Sequence, residues 1–100
     1  MERKDLRMII GALRVYLHLP ECRSLKDKRR ILNSLKNKIR QSFNVGVCEL
    51  GFNQTHQQTL LGIVCIGNSR TQVERLLDSV IKWEGYPREV EFLDFEREIL

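Results

Sequence analysis

Apolar residues recur along this chain with two different periods, and the change of period marks its elements. Across residues 8–19, Ile9, Leu13, Val15, Leu17 and Leu19 share one phase of a two-residue alternation, and Arg14, Tyr16 and His18 share the other. That pattern predicts a half-buried strand. Pro20 ends it, and residues 21–23 make a turn. Over residues 24–43, SLKDKRRILNSLKNKIRQSF, the period lengthens. At about 100° per residue, Leu25, Ile31, Leu32, Leu35 and Ile39 gather into one arc of a helix, with Lys26, Arg29, Arg30, Lys36 and Arg40 opposite them. Ser24 is placed to accept from a backbone N–H of the first turn, and Asp27, three residues on, to reach back and complement the positive end of the helix dipole.

Residues 44–52, rich in Val, predict a second strand, residues 53–56 a hairpin turn, and residues 58–66 a third strand whose core, TLLGIVCI, is apolar in both phases. A central place in a sheet accounts for such a run. Ser69 and Gln72 stand in capping-box register ahead of Val73, Leu76, Leu77 and Val80, a helical stripe that Gly85 and Pro87 bring to a stop. Residues 89–99 read as a last strand, with Val90, Phe92, Leu93, Phe95 and Ile99 among acidic neighbours. The order β-α-β-β-α-β predicts an α+β domain over residues 1–100, a ferredoxin-like sandwich with a four-stranded antiparallel sheet and two helices on one face. Such a sheet leaves its other face open, carrying Met8, Ile10, Ala12 and Tyr16 from the first strand together with apolar residues of the third. Uncovered apolar surface of that kind predicts a partner, here a homodimer through the sheet face or a sheet edge.

Composition adds one asymmetry. The formal charge is +4, but residues 1–40 carry 12 Lys and Arg against 4 Asp and Glu, whereas residues 41–100 carry 5 against 9. A positive pole of this strength attracts nucleic-acid phosphate or an acidic protein, and the same helix face also serves solubility. The cysteines, Cys22, Cys48 and Cys65, are odd in number and lack C-x-x-C spacing, which fits a reducing compartment. Cys48 and Cys65, inside apolar runs, read as core residues. His18 and His56 are far apart with no ligand partners at metal spacing, so neither a metal nor another cofactor is expected. Arg14 interrupts the apolar run near the start, which predicts no export signal, and no segment is long enough to span a membrane.

Lys28 breaks the helical pattern, because it falls near the centre of the apolar arc between Leu25 and Leu32. An unpaired ammonium in a core costs several kcal/mol, so the side chain must either snorkel outward or meet an acid. Glu49 is the candidate acid, since it shares the strand phase of Val45 and Val47, although Cys48 and Leu50 argue for burial of the opposite phase. A third reading joins Arg23, Ser24, Lys26 and Lys28 into an anion pocket where helix N–H groups point outward.

The run SLKDKRRILNSLKNKIRQSFNV, followed by CELG and then by a helix opening SRTQVERLLD, resembles the YlxP-like family of small uncharacterised bacterial proteins, a domain-of-unknown-function family. The resemblance covers nearly the whole chain, and Ser24, Leu25, Lys26, Lys28 and Arg29 are its most specific part. It implies a ferredoxin-like fold, a bacterial cytoplasmic setting and genes that often neighbour those for translation initiation and ribosome maturation. It brings no activity with it. Acylphosphatases share this strand and helix order but hold phosphate in a glycine-rich loop, and LPECRSL offers Arg23 without the glycines. With no nucleophile, base or oxyanion constellation, the chain reads as a non-enzymatic module. Two functions are expected of it. One is RNA or ribosome binding through phosphate contacts from Arg23, Ser24, Lys26, Lys28, Arg29, Arg30, Lys36 and Arg40. The other is protein interaction through the open sheet face. Base reading in the manner of an RRM is excluded by the lack of paired aromatics in TLLGIVCI.

Overall fold

The alternation of the first apolar run becomes strand β1, Ile9–His18, in a computed structural model that describes residues 6–52 and 54–100. Leu13, Val15 and Leu17 are buried and Arg14 is exposed. Helix α1 follows as Leu25–Ser42, with Ser24 as its N-cap, then β2 at Gly46–Gly51, β3 at Gln58–Gly67, helix α2 at Arg70–Ile81 and β4 at Glu91–Ile99. Both cap serines act as the sequence predicts, whereas the Asp27 carboxylate turns to Arg30 instead of reaching back and Gln72 Oε1 accepts from the Asn68 N–H at 3.0 Å instead of from the cap residue. Ser24 Oγ accepts from the Asp27 N–H at 3.0 Å and Ser69 Oγ from the Gln72 N–H at 3.2 Å, each satisfying a donor of the first turn.

The strands order as β2-β3-β1-β4, all antiparallel, with both central positions taken by the two longest apolar strands. This is the ferredoxin-like α+β arrangement. Odd-numbered residues of β1, β2 and β3 share one face. There Leu13, Val15, Leu17, Leu61, Ile63 and Cys65 pack with Ile31, Leu32, Leu35 and Ile39 of α1 and Val73, Leu77 and Val80 of α2. Each fully buried Leu contributes about 1.5–3 kcal/mol by removal of apolar surface from water. Gly11 lets α2 approach closely, since a Cβ there would stand 2.5 Å from Val73 Cγ1 and 3.0 Å from Leu77 Cδ1.

Several details depart from the sequence-based expectation. The apolar second phase of β3 is not buried by its central position; Val64 and Ile66 stay exposed on the open face. Cys48 is exposed too, which corrects its reading as a core residue. Val47 and Glu49 face the helices, so Cys48 faces away with Gly46, whereas Cys22 and Cys65 are buried. Helix α2 ends at Ile81, ahead of Gly85 and Pro87: the Lys82 N–H still makes the helical bond to the Asp78 carbonyl, but the Trp83 N–H bonds only three residues back, to the Val80 carbonyl, and the tightened turn leads at once into an aromatic series. Phe43, Trp83, Tyr86, Phe92 and Phe95 follow one another, the first four in edge-on contacts, with ring centroids 5.9, 5.0, 5.5 and 6.2 Å apart. Such pairs add about 0.5–1.5 kcal/mol each beyond their buried area. They tie the end of α1 to β4.

Two outcomes follow for stability. Gly11→Val should destabilise the fold by about 1–3 kcal/mol, read by urea unfolding, because the larger side chain overpacks the β1–α2 contact. Tyr86 donates its hydroxyl to the Val80 carbonyl at 3.1 Å, and burial pushes its phenol up to about 12. The folded state therefore holds this proton more tightly than the unfolded chain, where the phenol titrates near pH 10. That stability is complete below about pH 10 and lost as pH rises through about 12. Thermal melts of Tyr86→Phe should decline less steeply over that interval than those of the parent.

Candidate nucleic-acid interface

Periodicity predicts the cationic helix, and its geometry sorts the cations into three groups. Lys28 is the first. Only 3% of its side chain is exposed, and its Nζ donates to the Phe52 carbonyl at 2.6 Å and the Thr55 carbonyl at 2.7 Å while standing 3.3 Å from Glu49 Oε1. The ammonium thus meets one acceptor for each of its three donors. Glu49 Oε1 also accepts from the buried Thr59 hydroxyl at 3.3 Å. Of the readings open for Lys28, the ion pair is the one that forms, because β2 turns the phase of Val47 and Glu49 toward α1. Snorkelling does not occur, and the ammonium points at the β2–β3 hairpin instead of outward with the helix N–H groups. Phe52, whose carbonyl it holds, has φ of 63°, a left-handed conformation that a bulky residue keeps only where its surroundings fix it.

The second group is tied down at the surface. Arg30 pairs with Asp27, Nη2 to Oδ1 at 2.7 Å and Nε to the same oxygen at 3.2 Å. This guanidinium holds the Asp27 carboxyl below its ordinary value. Asp27 therefore serves Arg30 with its side chain and Ser24 with its backbone N–H. Arg40 donates from Nη2 to the Val47 carbonyl on the outer edge of β2 at 3.0 Å, and from Nη1 to Asn37 Oδ1 at 3.3 Å. Neither contact removes the positive charge of Arg40.

Arg23, Lys26, Arg29 and Lys36 make up the third group. Arg23, Lys26 and Arg29 are exposed and Lys36 half-buried, and none has a carboxylate partner among the described residues. Lys26, Arg29, Lys36 and Arg40 fall at spacings of three, seven and four residues, so they line one flank of α1. From Lys26 to Arg40 that flank runs about 21 Å at ~1.5 Å per residue. Arg40 fixes its position, because the contact with Val47 places the flank beside the β2 edge. Lys38, exposed on the other side of the helix, adds charge outside that flank.

A second set of carboxylates lies elsewhere. Asp94, Glu96 and Glu98 of β4 stand opposite Tyr16, Arg14 and Ala12 of β1, on the sheet face away from the helices and at the edge opposite β2. Three strand spacings, about 14 Å, separate the two outer strands. The Tyr16 hydroxyl donates to Glu96 Oε1 at 2.6 Å, which raises the phenol above its ordinary value, and His18 Nδ1 lies 3.2 Å from Glu91 Oε2. The cations of the α1 flank and the carboxylates of β4 thus lie at opposite edges of the fold. Among the described residues no helix is long and apolar enough to cross a membrane.

Comparisons with known proteins bear out the family resemblance. A family described as "Protein of unknown function (DUF503)" matches residues 10–97. The "Uncharacterized protein YlxP" of Bacillus subtilis (strain 168) is 36% identical over 65 residues, covering 64% of this chain and 71% of that protein.

Removing Lys28 should be costly, because it leaves Glu49 and two carbonyls without their cation. Lys28→Met is expected to lower stability by about 3–5 kcal/mol in urea unfolding. Adding Glu49→Leu should restore a large part of that loss. A single variant within about 1 kcal/mol of the parent would show that the buried pair does not hold the hairpin.

Proposed function

The chain belongs to the DUF503 family of proteins of unknown function, and we propose that it acts in the cytoplasm as an RNA- or ribosome-associated binding module whose α1 flank contacts phosphates without reading bases. The observation that carries this reading is the set of cations Lys26, Arg29, Lys36 and Arg40 along one helix flank, with the acidic strand at the opposite edge of the sheet. A row of positive charges that forms no ion pair among the described residues keeps its field and releases counterions on meeting phosphate. Arg23 extends the row at the helix start. Lys28 and Arg30, by contrast, spend their charge on Glu49 and Asp27 and contribute to position.

Base recognition is not part of the proposal. On the open face of the two central strands Tyr16 is the aromatic residue, and its hydroxyl is engaged by Glu96. Stacking platforms need paired aromatics on those strands. Beside them, the carboxylates of β4 repel a polyanion. Shape and phosphate contacts from α1 are what the surface offers.

Four phosphate contacts correspond to a log–log salt slope of about −3, so affinity for a structured RNA should fall roughly 50- to 150-fold between about 50 and 200 mM salt. Fluorescence anisotropy measures this directly. Arg29→Gln and Lys36→Gln should each weaken binding for unrelated RNA sequences alike and reduce the slope by about 0.7–0.9. Absence of binding at the lower salt, or a slope indifferent to both substitutions, would overturn the proposal.

A further inference from the structure

The α1 flank carries its charge in two pairs with a gap between them. Lys26 and Arg29 stand toward one end, Lys36 and Arg40 toward the other, and Arg29 and Lys36 are about 10.5 Å apart along the helix axis at ~1.5 Å per residue. Asn33 is exposed within the gap. At about 100° per residue these five residues fall inside an arc of about 80°, so they face one ligand together. That arc holds no aromatic residue. Phe43, at the end of the helix, packs edge-on against Trp83, and Phe52, 43% exposed on the hairpin that Lys28 holds, is a single ring outside the row.

We propose that the ligand of this flank is double-stranded RNA, which α1 crosses at the minor groove. Lys26 and Arg29 meet phosphates of one strand, Lys36 and Arg40 meet phosphates of the other, and the Asn33 amide meets the 2′-hydroxyls that line the groove between them. The inference rests on the phosphate-binding reading above and adds to it the strandedness of the ligand and the identity of its sugar. Charge complementarity places the two rims, and the neutral amide places the groove. Arg40 also steadies the second rim, since its Nη2 donates to the Val47 carbonyl and its Nη1 to Asn37 Oδ1, which fixes where the guanidinium stands.

Other polyanions fit the flank less well. Proteins that hold single strands give successive bases an aromatic face, and this arc offers none. A duplex needs no such platform, because its bases are already stacked and its two phosphate rows are held a groove apart. Among duplexes, depth decides. A helix that spans a groove from rim to rim keeps Asn33 near the level of the phosphates, and the Asn side chain is short. The major groove of B-form DNA is about 8.5 Å deep and its minor groove about 6 Å wide, the one too deep for that amide and the other narrower than the gap between the cation pairs. The A-form major groove is deep, narrow and closed to side chains, whereas the A-form minor groove is wide and shallow and displays 2′-hydroxyls. Each of these hydroxyls both donates and accepts, as the Asn amide does.

The test is fluorescence anisotropy at about 50 mM salt with three probes of about 20 nucleotides or base pairs: an RNA duplex of arbitrary sequence, the DNA duplex of the same sequence, and single-stranded polyuridine. The RNA duplex should bind about tenfold or more tighter than polyuridine, which lacks a second phosphate row, and about threefold or more tighter than the DNA duplex. Asn33→Ala, an exposed change that leaves the charge and the core alone, should weaken binding of the RNA duplex about three- to tenfold while the affinity for the DNA duplex, the salt slope and the circular dichroism stay as in the parent. Polyuridine or the DNA duplex binding as tightly as the RNA duplex overturns the inference, and so does an RNA-to-DNA preference that Asn33→Ala leaves unchanged. In those cases phosphate binding by the flank still stands if Arg29→Gln reduces the salt slope. No binding of any of the three probes removes the phosphate reading and this inference with it.

Discussion

An ammonium buried beneath the β2–β3 hairpin is the constraint on which the rest of this molecule depends. Lys28 sits one turn into α1, on the face that packs against the sheet, and its donors are divided among Glu49 and the carbonyls of Phe52 and Thr55. The arrangement binds three segments that are far apart in sequence, the start of α1, strand β2 and the turn that follows it. It also sets the rotation of the helix. With Lys28 inward, Leu32, Leu35 and Ile39 are inward as well, and Lys26, Arg29, Lys36 and Arg40 are left along the flank beside β2. A buried pair of this kind adds little net stability compared with apolar residues, yet losing one partner is severe. Its effect here is on geometry: one hairpin conformation, including the left-handed Phe52, and one face of the helix presented to solvent.

That rotation produces the electrical asymmetry. Ferredoxin-like connectivity places β2 and β4 at opposite edges of the sheet, so a chain whose basic residues gather early and whose acids gather late becomes a domain with opposite edges of opposite sign. Local pairing removes part of the positive charge, through Asp27 and Glu49, and leaves the flank cations in place. The phosphate-binding reading draws on this separation at the helix flank.

Much of this was legible in the sequence, for identifiable reasons. The two capping serines, the change from a two-residue to a helical period, and the order of elements are local signals, and the structure forms them within a few residues of where the patterns place them. What needed three dimensions were choices between faces. Cys48 looked like a core residue because its neighbours are apolar, but the phase of β2 is decided by Val47 against the helices and by Glu49 finding Lys28, neither of which is local. β3, apolar on both sides, gave no sign that Val64 and Ile66 would remain exposed, since alternation carries no information where both phases are alike. Nothing in the sequence marked the φ of Phe52, or Arg40 closing the edge of β2, because both are contacts between segments that only folding brings together.

The most direct measurement of the central arrangement is the nuclear magnetic resonance of the lysine ammonium groups, recorded by ¹H–¹⁵N correlation of the side-chain Nζ. A Lys28 ammonium enclosed by Glu49, Phe52 and Thr55 should give its own resonance, shifted from those of the surface lysines and exchanging with water at least tenfold more slowly. An ammonium signal for Lys28 that exchanges as fast as those of Lys26 and Lys36 would place it in solvent and contradict the account of how α1 is held.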